Sequence, residues 1–219
     1  MPYQKNLYEP DVTYHLCNHA NGFENLFSNK NHYLMFINRY IEYFDDIFET
    51  LAFTLMPNHY HLVVKVKSVN KILTDASDYH IAKFSLDLSD NAIYYNLSRF
   101  ISYKMSAFLN GYVQKYNNTT ERRGGLFRTD SKRIMVLDQK YLKNLIKYVH
   151  HNPVKHGFCK DPKDWGFSSY SDCLNKVDTY VQVQETLKIY GGYKRFLTFH
   201  LEKDVKDFQV IYESEKINE

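Results

Sequence analysis

Cysteine is scarce and tryptophan nearly absent: Cys17, Cys159, Cys173 and a single Trp among 219 residues. The three cysteines are far apart, odd in number and in no Cys-x-x-Cys pair, so neither a disulfide framework nor a cysteine zinc knuckle is indicated. A reducing compartment, the cytoplasm, is the expectation. No stretch approaches the roughly eighteen apolar residues that a membrane span requires, and the opening residues lack the basic-then-apolar design of a secretory signal. Internal repeats are absent, which excludes solenoids and propellers. What is abundant is the aromatic ring, with 20 Tyr and 15 Phe. Most of these tyrosines must be packing residues. A hydrophobic share of 44% with 24% charged residues argues against disorder and collagen-like structure. The net charge of +3 permits a nucleic-acid partner without requiring one.

The periodicities alternate between two and about 3.6. Val12 to Asn18 reads as a strand closed by the Asn21-Gly22 turn. Tyr33, Phe36, Ile37, Tyr40, Ile41 and Phe44 share one helical face. Two β-rich runs, Ile47 to Leu55 and Asn58 to Val66, flank a tight connection at Met56-Pro57-Asn58. Residues 68–91 are polar and acidic and read as a variable insertion. A long helix follows from an Asp90 cap through Tyr94, Leu97, Ile101, Met105, Phe108, Tyr112 and Tyr116, with its end expected at Asn117-Asn118. The segment 121–133 holds the densest positive charge, Arg122, Arg123, Arg128, Lys132 and Arg133, and leads into a short strand. Asp138 caps a third helix with Leu142, Leu145, Ile146 and Val149 on one face, and Pro153 is expected to stop it at Asn152. The tail carries a weaker helical pattern (Val183, Leu187, Tyr190) and a Gly191-Gly192 break.

Two constellations bear chemistry. His59-Tyr60-His61 lies on a predicted strand, where alternate residues share a face about 6.5–7 Å apart, so both imidazoles can converge on one ion. Taken alone, the same spacing also suits two histidines hydrogen-bonding across a sheet. On the third helix Tyr148 lies on the flank of the apolar stripe, and Asn152, one turn on, shares that flank. Tyr141 occupies nearly the same line two turns earlier. His150 and His151 suit the surface as well as they suit proton transfer.

Together FTLMPNHYHLVV, the basic GGLFRTDSKR segment and YVHHNPVKHG, in this order of strands and helices, resemble the REP-associated tyrosine transposases, a branch of the single-tyrosine HUH transposases of bacterial insertion sequences. The resemblance spans about Val12 to Tyr170. It implies an α+β, ferredoxin-like sandwich with a central antiparallel sheet over 1–176, interrupted by the insertion at about 68–91, with a helical C-terminal extension over 177–219. It further implies a single-stranded DNA endonuclease and strand transferase that cuts near hairpins through a 5′-phosphotyrosine. Tyr148 matches the nucleophile, and His59, His61 and Asn152 match the ligands of a divalent metal, Mg²⁺ or Mn²⁺ in the family. Arg122, Arg123, Arg128, Lys132, Arg133 and Lys155 would contact DNA. Thr129-Asp130 departs from the bulky or aromatic residue that many relatives carry there. Insertion-sequence relatives swap the tyrosine helix between two subunits and REP-associated ones can act as monomers, so a monomer or homodimer is implied, with no membrane partner. Rival readings are a non-catalytic ferredoxin-like module binding single-stranded nucleic acid, for which an RNP-type aromatic strand is missing; a small metallohydrolase, which would need a further ligand; and a domesticated nickase.

Overall fold

The computed structural model describes residues 7–202; residues 1–6 and the last part of the expected extension, 203–219, lie outside the described residues. Four strands, β1 (Thr13–His19), β2 (Phe48–Met56), β3 (His59–Val66) and β4 (Lys132–Val136), form one antiparallel sheet in the order β2-β3-β1-β4. The helices are α1 (Lys30–Phe44), α2 (Val69–Asp75), α3 (Asp78–Phe84), α4 (Ile93–Thr120), α5 (Gln139–Lys155), α6 (Tyr170–Asn175), α7 (Val183–Tyr190) and α8 (Tyr193–Leu201). The helix α1 connects β1 to β2, and α4 leads from β3 to β4 after the short helices of the 68–91 segment. This is the α+β, ferredoxin-like sandwich that the motifs imply, with additional helices after β4.

The pleat sorts the sheet into two faces. Tyr14, Leu16, Tyr60, Leu62 and Val64 point toward α1 and α4, where the Tyr60 ring lies 5.2 Å from Phe36 and Phe36 lies 4.9 Å from Phe108. Most of the aromatic excess is spent in this layer. Gly111 leaves room here for the Arg39 guanidinium, which crosses α4 to donate to the carbonyls of Phe108 and Ala107 and which a Cβ at that position would displace. The other face is covered by α5, which packs on β2, β3 and β4.

Three helix ends differ from the sequence expectation. Asp90 is not the N-cap of α4, which is Ala92 without a side-chain cap; the Asp90 carboxylate instead accepts from the Ala92 amide at 2.8 Å in the turn before the helix. At the other end α4 continues to Thr120 and stops at Glu121 in the left-handed region (φ 54°), not at Asn117-Asn118. Likewise α5 continues past Pro153 to Lys155. A proline in the last turn forfeits a single backbone bond, and the chain leaves the helix only at Gly157, whose φ of +75° suits glycine.

The segment 165–190 closes the outer edge of β2. The Leu55 amide donates to Phe167, that of Ser169 to Phe53 and that of Gln182 to Thr50, and the Thr186 hydroxyl donates to Leu51. An edge strand left bare would offer those groups to another chain. Val181, Val183, Leu187 and Phe196 join the same buried core as the sheet. No helix among the described residues is long and apolar enough to cross a membrane.

Candidate active site

β1 and β3 are the two central strands, and their register brings Cys17 opposite His61 and His19 opposite His59. His15, Cys17, His19, His59 and His61 therefore project from one face, the one under α5. Tyr60, between the two histidines, points the other way. The tight Pro57-Asn58 connection, across which Met56 pairs with His59, fixes where the His-x-His begins.

The helix α5 lowers Tyr148 and Asn152 onto this face. Asp138 starts it, accepting from the Tyr141 amide at 2.6 Å, and the 100° step per residue then puts residues 148 and 152 on one line. Asn152 Oδ1 lies 3.0 Å from His59 Nε2, and the Tyr148 ring stands edge-on to His61 at 5.6 Å between centroids. The His59 and His61 rings are themselves 5.1 Å apart. Tyr148 is 2% exposed, more buried than a flank position suggests, because α5 lays this side against the sheet. Tyr141, its sequence decoy, is only partly buried.

Second contacts hold both imidazoles by the same nitrogen. His59 Nδ1 is 2.8 Å from Asn58 Oδ1, and His61 Nδ1 is 3.0 Å from His15 Nε2. A metal at either ring would be met by Nε2, with Nδ1 fixed by its partner, which is how outer contacts set a ligating histidine. Burial keeps these rings neutral: His59 is pushed down to about 3 by burial first and His19 second, and His61 is held well below the ordinary histidine range by burial and the adjacent His59. Neutral imidazole is the ligating form.

A neutral His59 carries one N–H between two amide oxygens. If Nδ1–H is given to Asn58, the Nε2 lone pair faces the Asn152 carbonyl oxygen, and Asn152 Nδ2 is buried with no hydrogen-bond partner among the described residues. Two arrangements relieve this, rotation of the Asn152 amide or a cation between Nε2 and Oδ1. The donor set of two imidazole nitrogens and an amide oxygen thus fits a divalent ion.

The basic residues divide. Lys155 is exposed, with its ammonium 5.0 Å from the centre of the Tyr148 ring. Lys132 shares the histidine face opposite Cys17, and both Lys132 and Arg128 are close enough to His19 to push its pKa down after burial has done so. Arg128 also pairs with Asp130 at 3.0 Å. Arg122 is tied into its own loop by Asn117, Gly124 and Gly125 and by an ion pair with Glu24. Arg133 sits on the opposite face, its guanidinium 4.0 Å above the Tyr8 ring. Arg123 is exposed at the loop.

Sequence reasoning missed His15 and Asn58 as orienting groups, and His19 and His156, whose rings lie 4.7 Å and 5.1 Å from His59. The alternation His15-Leu16-Cys17-Asn18-His19 on a predicted strand was the available signal. His150 belongs to neither surface nor site: it is fully buried, with Nδ1 3.0 Å from His200 Nε2 and Nε2 2.9 Å from the Ser169 hydroxyl.

No protein-family profile matches the chain. A Haemophilus influenzae protein whose name places it among the REP-associated tyrosine transposases is 28% identical over 123 residues, 56% of this chain. The match spans 59% of that relative's length. A solved REP-associated tyrosine transposase bound to a REP hairpin superposes with a TM-score of 0.52 at 18% identity, over 82% of this chain and 90% of that one.

Proposed function

The chain is related in sequence and in fold to the REP-associated tyrosine transposases, and on that premise we propose that it cuts and rejoins single-stranded DNA beside hairpins, with Tyr148 as the nucleophile. The observation that carries this reading is the meeting of Tyr148 and Asn152 with His59 and His61 from elements about 90 residues apart in sequence.

Tyr148 Oη attacks the scissile phosphorus as its proton passes to solvent, the bond to the 3′ oxygen breaks and that oxygen takes up a proton, and the chain is left esterified to a 5′ phosphate. A later 3′ hydroxyl reverses the exchange without ATP, because each phosphodiester broken is replaced by another phosphoester. His59, His61 and Asn152 would hold the divalent ion, Mg²⁺ or Mn²⁺. When bound, that ion supplies polarisation of a non-bridging phosphate oxygen and neutralises charge on the leaving oxygen. His15 and Asn58 keep the two imidazoles turned toward the cleft. Lys155 puts positive charge beside the Tyr148 ring, and with Lys132 and Arg128 supports the DNA backbone. Arg123, Arg122 and Arg133 would act farther out, the last two while also holding the contacts described. In this reading Tyr148 serves the histidines of its own chain, in cis.

The test is covalent capture of a labelled single-stranded hairpin. Tyr148→Phe is expected to abolish the adduct while hairpin binding stays within about threefold, an isosteric change costing well under about 1 kcal/mol of binding. Tyr141→Phe should leave the adduct intact. His59→Ala, or EDTA with the unaltered protein, should stop cleavage. Adduct formed by Tyr148→Phe would remove Tyr148 from its role, and nicking that persists in EDTA would remove the metal.

A further inference from the structure

Overlapping the proposed catalytic histidines is a second donor set, which shares His61 with them and adds Cys17, a residue that the mechanism leaves unused. One nitrogen each of His15 and His61 and the sulfur of Cys17 lie within 4.8 Å of one another, all three side chains buried. They come from adjacent positions on the two central strands, Cys17 directly opposite His61 and His15 two residues before it. Thr54, opposite His61 on the other side, is fully buried with a hydroxyl that has no hydrogen-bond partner among the described residues.

From this geometry we propose a second, inner metal site for a thiophilic divalent cation, Zn²⁺ or Co²⁺, held by His15, Cys17 and His61, whose occupation opposes that of the His59, His61 and Asn152 centre. Tetrahedral zinc with bonds of about 2.0–2.1 Å to nitrogen sets its ligand nitrogens roughly 3.3–3.4 Å apart. His15 Nε2 and His61 Nδ1 are at 3.0 Å, so the ion needs the rings to part by only a few tenths of an ångström. A thiolate with two imidazoles selects Zn²⁺ or Co²⁺ over Mg²⁺, which takes oxygen ligands. Thr54 Oγ1 or water completes the set.

The antagonism follows from the His61 ring. On coordination the Cys17 thiol releases its proton to solvent, and the proton shared by His15 Nε2 and His61 Nδ1 leaves that line. For neutral His61 ligating through Nδ1, the ring proton resides on Nε2. That is the nitrogen the outer ion would use. The same imidazole cannot serve both sites without losing a second proton, so thiophilic metal in the inner site disables the outer one. This consequence rests on the proposed strand-cleaving function; the site itself does not.

Cobalt tests the two separately. Adding Co²⁺ to the metal-free protein is expected to produce a near-ultraviolet sulfur-to-cobalt charge-transfer band that Cys17→Ser abolishes and that Cys159→Ser and His59→Ala retain. X-ray absorption of the zinc-loaded unaltered protein should show a sulfur neighbour at about 2.3 Å, a readout independent of how any variant folds. Absence of that sulfur, or a cobalt band that survives Cys17→Ser, overturns the site. In hairpin cleavage with Mg²⁺, Zn²⁺ should inhibit the unaltered protein at a concentration at least tenfold lower than it inhibits Cys17→Ser. Equal inhibition of the two overturns the antagonism. Cobalt binding through Cys17 with no cleavage under any metal would leave the inner site standing and refute the proposed function instead.

Discussion

At the scale of single residues, His15 shows how a buried side chain can govern an atom it does not replace. Its Nε2 fixes His61 Nδ1, and removing such an outer partner typically costs about 10–100-fold in metal affinity. His15→Ala should therefore raise the Mn²⁺ concentration needed for half-maximal cleavage by about that factor while the rate at saturating Mn²⁺ falls much less. Direct Mn²⁺ binding measured by electron paramagnetic resonance should shift in parallel. The two histidines of the His-x-His and Tyr148 were legible in the sequence because their motifs are local. His15 and Cys17 were not read from it, since the alternation that puts them on one face of β1 does not say which strand they meet, and that depends on the register of β1 against β3, a relation across 46 residues.

The element that matters most is α5, which carries Tyr148, the proposed nucleophile, on the side facing the sheet and is gripped on the other by α8. His200 Nδ1 donates to the Phe196 carbonyl, which leaves Nε2 to accept from His150 Nδ1–H, and His150 Nε2 in turn accepts from Ser169. This chain of bonds has one consistent set of protons, with both rings neutral. His200 is pushed down to about 3, chiefly by burial, with His151 and Lys147 adding positive charge nearby and the Phe196 carbonyl opposing them. Its folded pKa lies below the ordinary 6.5, so the unfolded chain binds the extra proton. Stability is therefore full above about pH 6.5 and is lost as pH falls toward 3, by up to about 1.4 kcal/mol per pH unit from this one group. Melting temperature should fall between about pH 7 and 5, and His200→Gln should flatten that slope. An unchanged slope would place the acid sensitivity elsewhere.

Sequence periodicity located α5 and its cap but ended it early at Pro153. It could not show that nearly every side of the helix is covered, because His200 and the tail that covers it lie some 50 residues away. The appended helices carried only a weak pattern because α7 and α8 are eight and nine residues long, too few turns for a periodic stripe to stand out.

For the molecule as a whole, charge is unevenly deployed around a modest net of +3. Lys155, Lys132 and Arg128 gather at the mouth of the cleft, while Arg133 and Arg122 lie elsewhere and already have partners. Each phosphate that is no longer neutralised by a side chain lowers the salt dependence of single-strand binding by about 0.7 in log–log slope. Lys155→Ala and Lys132→Ala should each show that decrement in titrations across a series of salt concentrations. Arg133→Ala should change the slope much less and lower thermal stability, because the Tyr8 ring then loses the guanidinium 4.0 Å above it. The basic segment was plain in the sequence as a cluster. Which of its members face the cleft was decided by the pleat of β4, where Lys132 and Arg133 necessarily point in opposite directions.

That pleat has a bearing on how such a chain tolerates change in length. Residues 68–91 join β3 to α4 outside the sheet, and insertions or deletions there that spare the buried Ile72, Phe84 and Leu86 leave the strand register as it is. Inside β1 or β3 the unit of tolerated change is two residues, because removing one exchanges every inward side chain downstream for its outward neighbour. A single deletion before His59 would turn Tyr60 into the cleft and both histidines into the aromatic layer beneath α1. The strands that hold the fold together are thus also a reading frame for the cleft, and a lineage could lengthen its loops freely while being unable to shift either central strand by one.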